Sequence, residues 1–137
     1  MFRKITISFM LVAFLAVGAN ADTWNFDTAH SSVGFTVKHM VISKVKGTFT
    51  QYDGSVEFDG KNFETGSVNV AIDVVSVDTD NEKRDNHLKT SDFFDLENHP
   101  KMTFISKKVV KGDGDNFEVL GDLTLRGVTK EVTLDAE

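Results

Sequence analysis

Apolar residues recur with a period of two along most of the chain. Val33, Phe35 and Val37 alternate with Ser32, Gly34, Thr36 and Lys38, as in a strand with one wet face. The alternation returns at Val56 and Phe58, at Met102 and Phe104, and at Phe117, Val119, Leu123 and Leu125, then continues through Val128, Val132 and Leu134. Between these runs, Asp53-Gly54, Asp59-Gly60, Gly112-Asp113-Gly114-Asp115 and Arg126-Gly127 read as hairpin turns. The pattern predicts a mainly antiparallel sheet.

Two stretches depart from it. From Gly66 to Val77, Val68, Val70, Ile72 and Val74 share one face while Ala71, Val75 and Val77 add apolar groups to the other, which predicts cover on both faces. The segment from Thr79 to Phe94 has helical character. Thr79 and Glu82 have capping-box spacing, a short helix is expected over Asn81 to Leu88, and Ser91 is placed to cap a further turn carrying Phe93 and Phe94. Pro100 ends this excursion. One-sided strands fit either a sandwich or a closed barrel. The inward set, with Phe35, Phe49, Phe58, Phe104 and Phe117, leans toward a barrel, whose eight-stranded form has an interior about large enough for one ligand.

The N-terminus is a different object. Arg3 and Lys4 precede an apolar run from Ile5 to Val17, and Ala19-Asn20-Ala21 offers a small-residue cleavage site before Asp22. Residues 1–21 are therefore expected to be a secretory signal peptide, because the run is shorter than the roughly 20 residues that cross a bilayer. The exported part, 22–137, has the size of one domain, with no stable membrane insertion after cleavage. Without Arg3 and Lys4 the formal charge moves from −6 to −8. Such an acidic chain disfavours nucleic acid and simple adsorption to anionic head groups. The absence of cysteine removes thiol chemistry, cysteine metal sites and disulfide stapling, so stability must come from the core.

The four histidines, His30, His39, His87 and His99, show neither H-x-H nor H-E-x-x-H spacing, and parity puts His30 and His39 on opposite faces of a straight strand. Local pairing of each is the simpler expectation. No G-x-S-x-G elbow is present, and Gly112 to Asp115 lacks the EF-hand pattern, reading instead as a solvated loop. Arg84 and His87, three apart on a helix, face the same way, and Asp85 is placed to pair with Lys89. This cluster reads either as a polar rim holding an anionic head group, with Phe93 and Phe94 at the entrance, or as a capped helix whose two phenylalanines plug a barrel end.

The order and spacing of several motifs resemble the YceI-like family of exported, polyisoprenoid-binding proteins. They are Trp24-Asn25-Phe26-Asp27, His30-Ser31, the run from Val33 to His39, Ile72 to Thr79, Arg84 to Asp95, Pro100 to Phe104, and Gly121 to Thr129. The resemblance implies a lipocalin-like antiparallel β-barrel with a short helical segment around 80–95. It also implies a periplasmic carrier for a polyisoprenoid or other long-chain amphiphile, with no catalysis and no cofactor beyond the bound lipid. Phe35, Val37, Phe49, Val70, Ile72 and Phe104 would line its cavity, with His39 at the strand end. Arg84, His87, Phe93 and Phe94 would stand at the entrance. The rival expectations are a histidine-based metal or enzymatic barrel, and a partner-binding barrel with a self-filled core. Members of this family continue past the Gly-Val-Thr-Lys strand, so the closing strands are expected beyond Glu137. Without them two edges would stay unpaired, and a homodimer would close the barrel.

Overall fold

The computed structural model describes residues 21–39 and 43–136, with only the backbone of His39, so the expected signal peptide 1–21 lies, apart from Ala21, outside the described residues. Among the described residues nine strands form two antiparallel sheets. In the larger, β1 (Asp22–Asn25), β4 (Tyr52–Phe58), β5 (Ser67–Asp73), β7 (Lys101–Lys111), β8 (Phe117–Leu125) and β9 (Val128–Ala136) lie side by side in that order. In the smaller, the order is β2 (Val33–His39), β3 (Ser43–Phe49) and β6 (Val77–Asp78). The all-β, antiparallel, barrel-like class is therefore observed, although the ladder is not closed: among the described residues β1 and β9 of the larger sheet and β2 and β6 of the smaller one each leave one edge unpaired.

The sheets are joined at one corner. β3 passes into β4 through Thr50 and Gln51, and β5 passes into β6 through a 3-10 turn, Val74–Ser76. Pairing continues across this bend, where the Thr50 amide donates to the Ser76 carbonyl at 3.2 Å and the Asp73 amide donates to the Gln51 carbonyl at 2.9 Å.

Register identifies the inner faces, because directly opposed residues on antiparallel strands point the same way. On the smaller sheet Val33 faces Phe49, Phe35 faces Gly47 and Val37 faces Val45. On the larger sheet Tyr52, Ile72, Met102 and Leu125 share one face, and Val70, Phe104 and Leu123 continue it. One core holds Phe49, Ile72, Val74, Val77 and Met102; a second holds Phe104, Val109 and Val119. The Tyr52 hydroxyl packs beside the first core and is buried without a hydrogen-bond partner among the described residues.

Four local expectations are corrected. Asp53-Gly54 lies inside β4 rather than in a turn, and a Cβ at Gly54 would meet the Phe26 ring at 2.6 Å, so glycine is there for close aromatic packing. The alternation after Ile72 does not mean cover on both faces. The 3-10 turn has three residues per turn and brings Val74 and Val77 into the same core, while Val75 is left 47% exposed. Helix α1 (Glu82–Leu88) is capped by Asn81, whose side chain accepts from the Arg84 amide at 2.9 Å; Thr79 is not the cap but a buried anchor. After α1 the turn carrying Phe93 and Phe94 is organised by Thr90 rather than Ser91. The Thr90 carbonyl accepts from the amides of Phe93 and Asp95, and its hydroxyl donates to the His87 carbonyl.

Two hairpins follow the sequence. Gly112 to Asn116 forms a solvated loop between β7 and β8, closed by Gly112 and Asn116 amide bonds of 2.9 and 3.2 Å. β8 and β9 are joined by Arg126 and Gly127 alone, with φ of 50° and 71°, the left-handed pair of a type I′ turn.

Candidate functional site

A cavity of about 980 Å³ lies between the inner faces of the two sheets and the α1 segment. That is at the upper end of the size range of small-molecule sites. The smaller sheet supplies Val33, Phe35, Val37, Val45 and Phe49, and the larger one Met102, Leu123, Leu125 and Val128. The α1 segment closes one side with Leu88, Phe93 and Phe94. Exposure grades along this wall. Phe49 and Met102 are 5% and 7% exposed at the inner end, whereas Val37 and Val128 are 52% and 58% exposed at the outer end. The inner end is aromatic: the Phe49 ring lies 5.5 Å from Phe35 and 5.7 Å from Phe94.

Among the described residues the polar side chains of the lining are Arg84, His87, Asp92 and Arg126. His87 Nε2 and Asp92 Oδ2 are 3.0 Å apart, both side chains are exposed, and the Phe93 ring stands edge-on to the imidazole at 5.0 Å. Arg84 is half-buried and tied down, with Nε donating to Thr79 Oγ1 and Nη2 to the Thr79 carbonyl, each at 2.7 Å. The Asp85 carboxylate accepts from the Thr79 amide and hydroxyl, so the expected Asp85–Lys89 pair gives way to a clasp that holds the start of α1 on β6. Arg126 Nη1 donates to the Phe93 carbonyl at 3.1 Å and links the β8–β9 turn to the cavity's aromatic side.

Seven sequence-predicted site residues therefore meet on this cavity: Phe35, Val37, Phe49, Arg84, His87, Phe93 and Phe94. Three do not line it. Ile72 is buried in the first core. Phe104 is buried in the second, and it and Val70 border a separate 550 Å³ pocket with Phe26 and Gly54. The inward direction read from parity is right for all three, but Ile72 and Phe104 are taken up in the two cores and Val70 faces the other pocket. The His39 side chain lies outside the described residues. Arg126 was missed as a site residue because its position next to glycine read only as a turn signal. Its cationic side chain at a left-handed position, where Asn or Gly is usual, is the signal that would have found it.

His30 and His99 pair locally. His30 Nδ1 lies 2.7 Å from Asp27 Oδ2, and this hydrogen bond, with the Ala29 amide, holds the Asp27 carboxyl below its ordinary pKa. His99 packs against Gly127 and lies 3.9 Å from Asp95.

A model of the YceI-like domain matches residues 24–137. The chain belongs to the YceI-like family. It is 45% identical over 114 residues to a UPF0312 protein of Staphylococcus aureus, a match covering 83% of this chain and 64% of that protein. The YceI protein of Campylobacter jejuni, known from its crystal structure, is 45% identical, with a TM-score of 0.67 over 82% of this chain and 66% of that one. A polyisoprenoid-binding domain from Saccharophagus degradans shares the fold at 16% identity, with a TM-score of 0.54 over 85% of this chain and 64% of that one. The chain thus spans just under two thirds of the length of these relatives.

Proposed function

We propose that this YceI-like chain is a carrier that holds one long-chain amphiphile, such as a polyisoprenoid, in the cavity between its sheets, and that it does so in the periplasm without catalysis. One observation carries the reading: an apolar cavity wall runs from the Phe35–Phe49–Phe94 group to an exposed rim, and among the described residues every charged lining residue belongs to the helix segment or the β8–β9 turn. Each methylene withdrawn from water into such a wall contributes about 0.8 kcal/mol, so chain length is the natural source of affinity. Among the described residues the lining offers no hydroxyl, thiol or amine nucleophile beside His87. The His87–Asp92 pair is exposed. Binding alone accounts for this composition. The Saccharophagus domain supports the reading through shared fold only.

The test is a titration of delipidated, refolded protein with the fluorescent apolar probe N-phenyl-1-naphthylamine, followed by displacement with a long-chain isoprenoid alcohol. One probe per chain is expected. Val37→Asp, which adds charge at a half-exposed wall position, is expected to lower probe affinity at least tenfold with little loss of stability. Wild-type protein that takes up no probe, or Val37→Asp protein that binds it as well as wild type, would overturn the assignment.

A further inference from the structure

Resting on the amphiphile reading, we infer that the ligand's head group is an anion, a carboxylate or a phosphate, held at the cavity rim by Arg126 and by the free nitrogen of Arg84. The argument begins in the backbone. Arg126 occupies the first position of a two-residue type I′ turn at φ 50°, where a non-glycine residue is strained and where Asn or Gly would form the same hairpin more easily. A cation kept at such a position points to a use for its side chain.

The side chain is also aimed. Arg126 lines the cavity, and its bond to the Phe93 carbonyl fixes the guanidinium across the rim. Its Nε and Nη2 have no protein partner among the described residues, and neither has Nη1 of Arg84, whose other two nitrogens hold Thr79. Among the described residues the one carboxylate of the lining, Asp92, is engaged by His87. The rim therefore presents two guanidinium groups against one carboxylate, and its unengaged nitrogens can only donate. A planar guanidinium matches carboxylate and phosphate oxygens in paired, charge-assisted bonds. An alcohol head group would leave both cations without a counter-charge. The ligand orientation follows, with the chain toward Phe49 and Phe94 and the head between the β8–β9 turn and the α1 segment.

The experiment uses one chain length with three head groups. Dodecanoate, dodecyl phosphate and 1-dodecanol displace N-phenyl-1-naphthylamine from wild type and from Arg126→Asn at neutral pH. Asn suits the left-handed turn, so this variant should fold, which a thermal melt verifies. At least one anion is expected to bind wild type about tenfold or more tightly than the alcohol, and Arg126→Asn is expected to remove most of that preference. Preference for dodecanoate or for dodecyl phosphate tells the carboxylate source from the phosphate source. Equal affinity of wild type for anions and alcohol would overturn the head-group inference and leave the cavity reading standing. An anion preference that survives Arg126→Asn unchanged would overturn the role of Arg126. Failure of all three compounds to bind would overturn the amphiphile reading itself, and the inference with it.

Discussion

Gly47→Ala probes the packing that shapes the inner end of the cavity. Gly47 sits opposite Phe35 on the inner face of the smaller sheet, and a Cβ built there would lie 2.7 Å from Phe35 Cε1 and 2.9 Å from Thr79 Cγ2. Carbon atoms prefer separations of about 3.5–4.0 Å, so both contacts have to open, the one to the Phe35 ring by the larger amount. Thr79 is buried and held by Arg84 and Asp85. Phe35 therefore yields, and it can do so only by crowding Phe49 and Phe94 or by swinging into the cavity. Overpacking of this kind costs about 1–3 kcal/mol. For a domain of this size that lowers Tm by about 4 °C per kcal/mol. Urea unfolding gives the energy, and the same samples titrated with the apolar probe report the lost volume. The reasoning also predicts rescue, because Phe35→Leu in the Gly47→Ala background removes the obstructing ring atoms and should recover most of the stability. A Gly47→Ala protein within about 0.5 kcal/mol of wild type, or one that Phe35→Leu fails to rescue, would refute it.

Arg84→Ala removes two hydrogen bonds to the buried Thr79 and should cost about 2–3 kcal/mol in urea unfolding, because acceptors in a half-buried site lose a charged donor; an unchanged midpoint would show that the clasp is idle. Acid stability should depend on Asp27 and Asp59, whose carboxyls are held below the ordinary value of 3.8, the first chiefly by the His30 ring and the second chiefly by the Asn62 and Lys61 amides. Their folded-state pKa values lie below the unfolded ones, so the stabilisation is present above about pH 4 and is lost as pH falls through the lowered values. Urea midpoints measured downward from pH 5 should therefore fall less steeply for Asp59→Asn than for wild type.

The existence and apolar face of β2, β4, β5, β7, β8 and β9 were legible because one-sided burial imposes a period of two, whereas the fully exposed β1, the Gly47-interrupted β3 and the two-residue β6 carry too little of that period to be read as strands. What parity could not carry is where the two sheets diverge. Phe35 and Phe104 obey the same rule, yet one borders the cavity while the other is buried against Val109 and Val119. A bulge between Ser106 and Lys108 lets Phe104 and Val109, five residues apart, face the same core. The 3-10 turn at Val74–Ser76 likewise replaces a period of two by one of three. Both are departures from regular geometry that the apolar pattern records only as noise. The helix segment was legible in position but not in its contacts. Thr79 and Glu82 fit a capping box, but Asn81 stands closer to the helix start, and the buried Thr79 is more strongly engaged by Arg84 and Asp85. Arg126 shows the same limit, since a turn dipeptide says how the chain reverses and not what its side chain meets 33 residues away.

Native mass spectrometry of delipidated, refolded protein mixed with a long-chain isoprenoid tests the central claim most directly, with Val37→Asp as the comparison. The cavity between the sheets predicts a complex of one chain with one lipid, strongly depleted in the variant. A wild-type spectrum holding only the bare polypeptide in the presence of excess lipid, or equal occupancy in the variant, would contradict it.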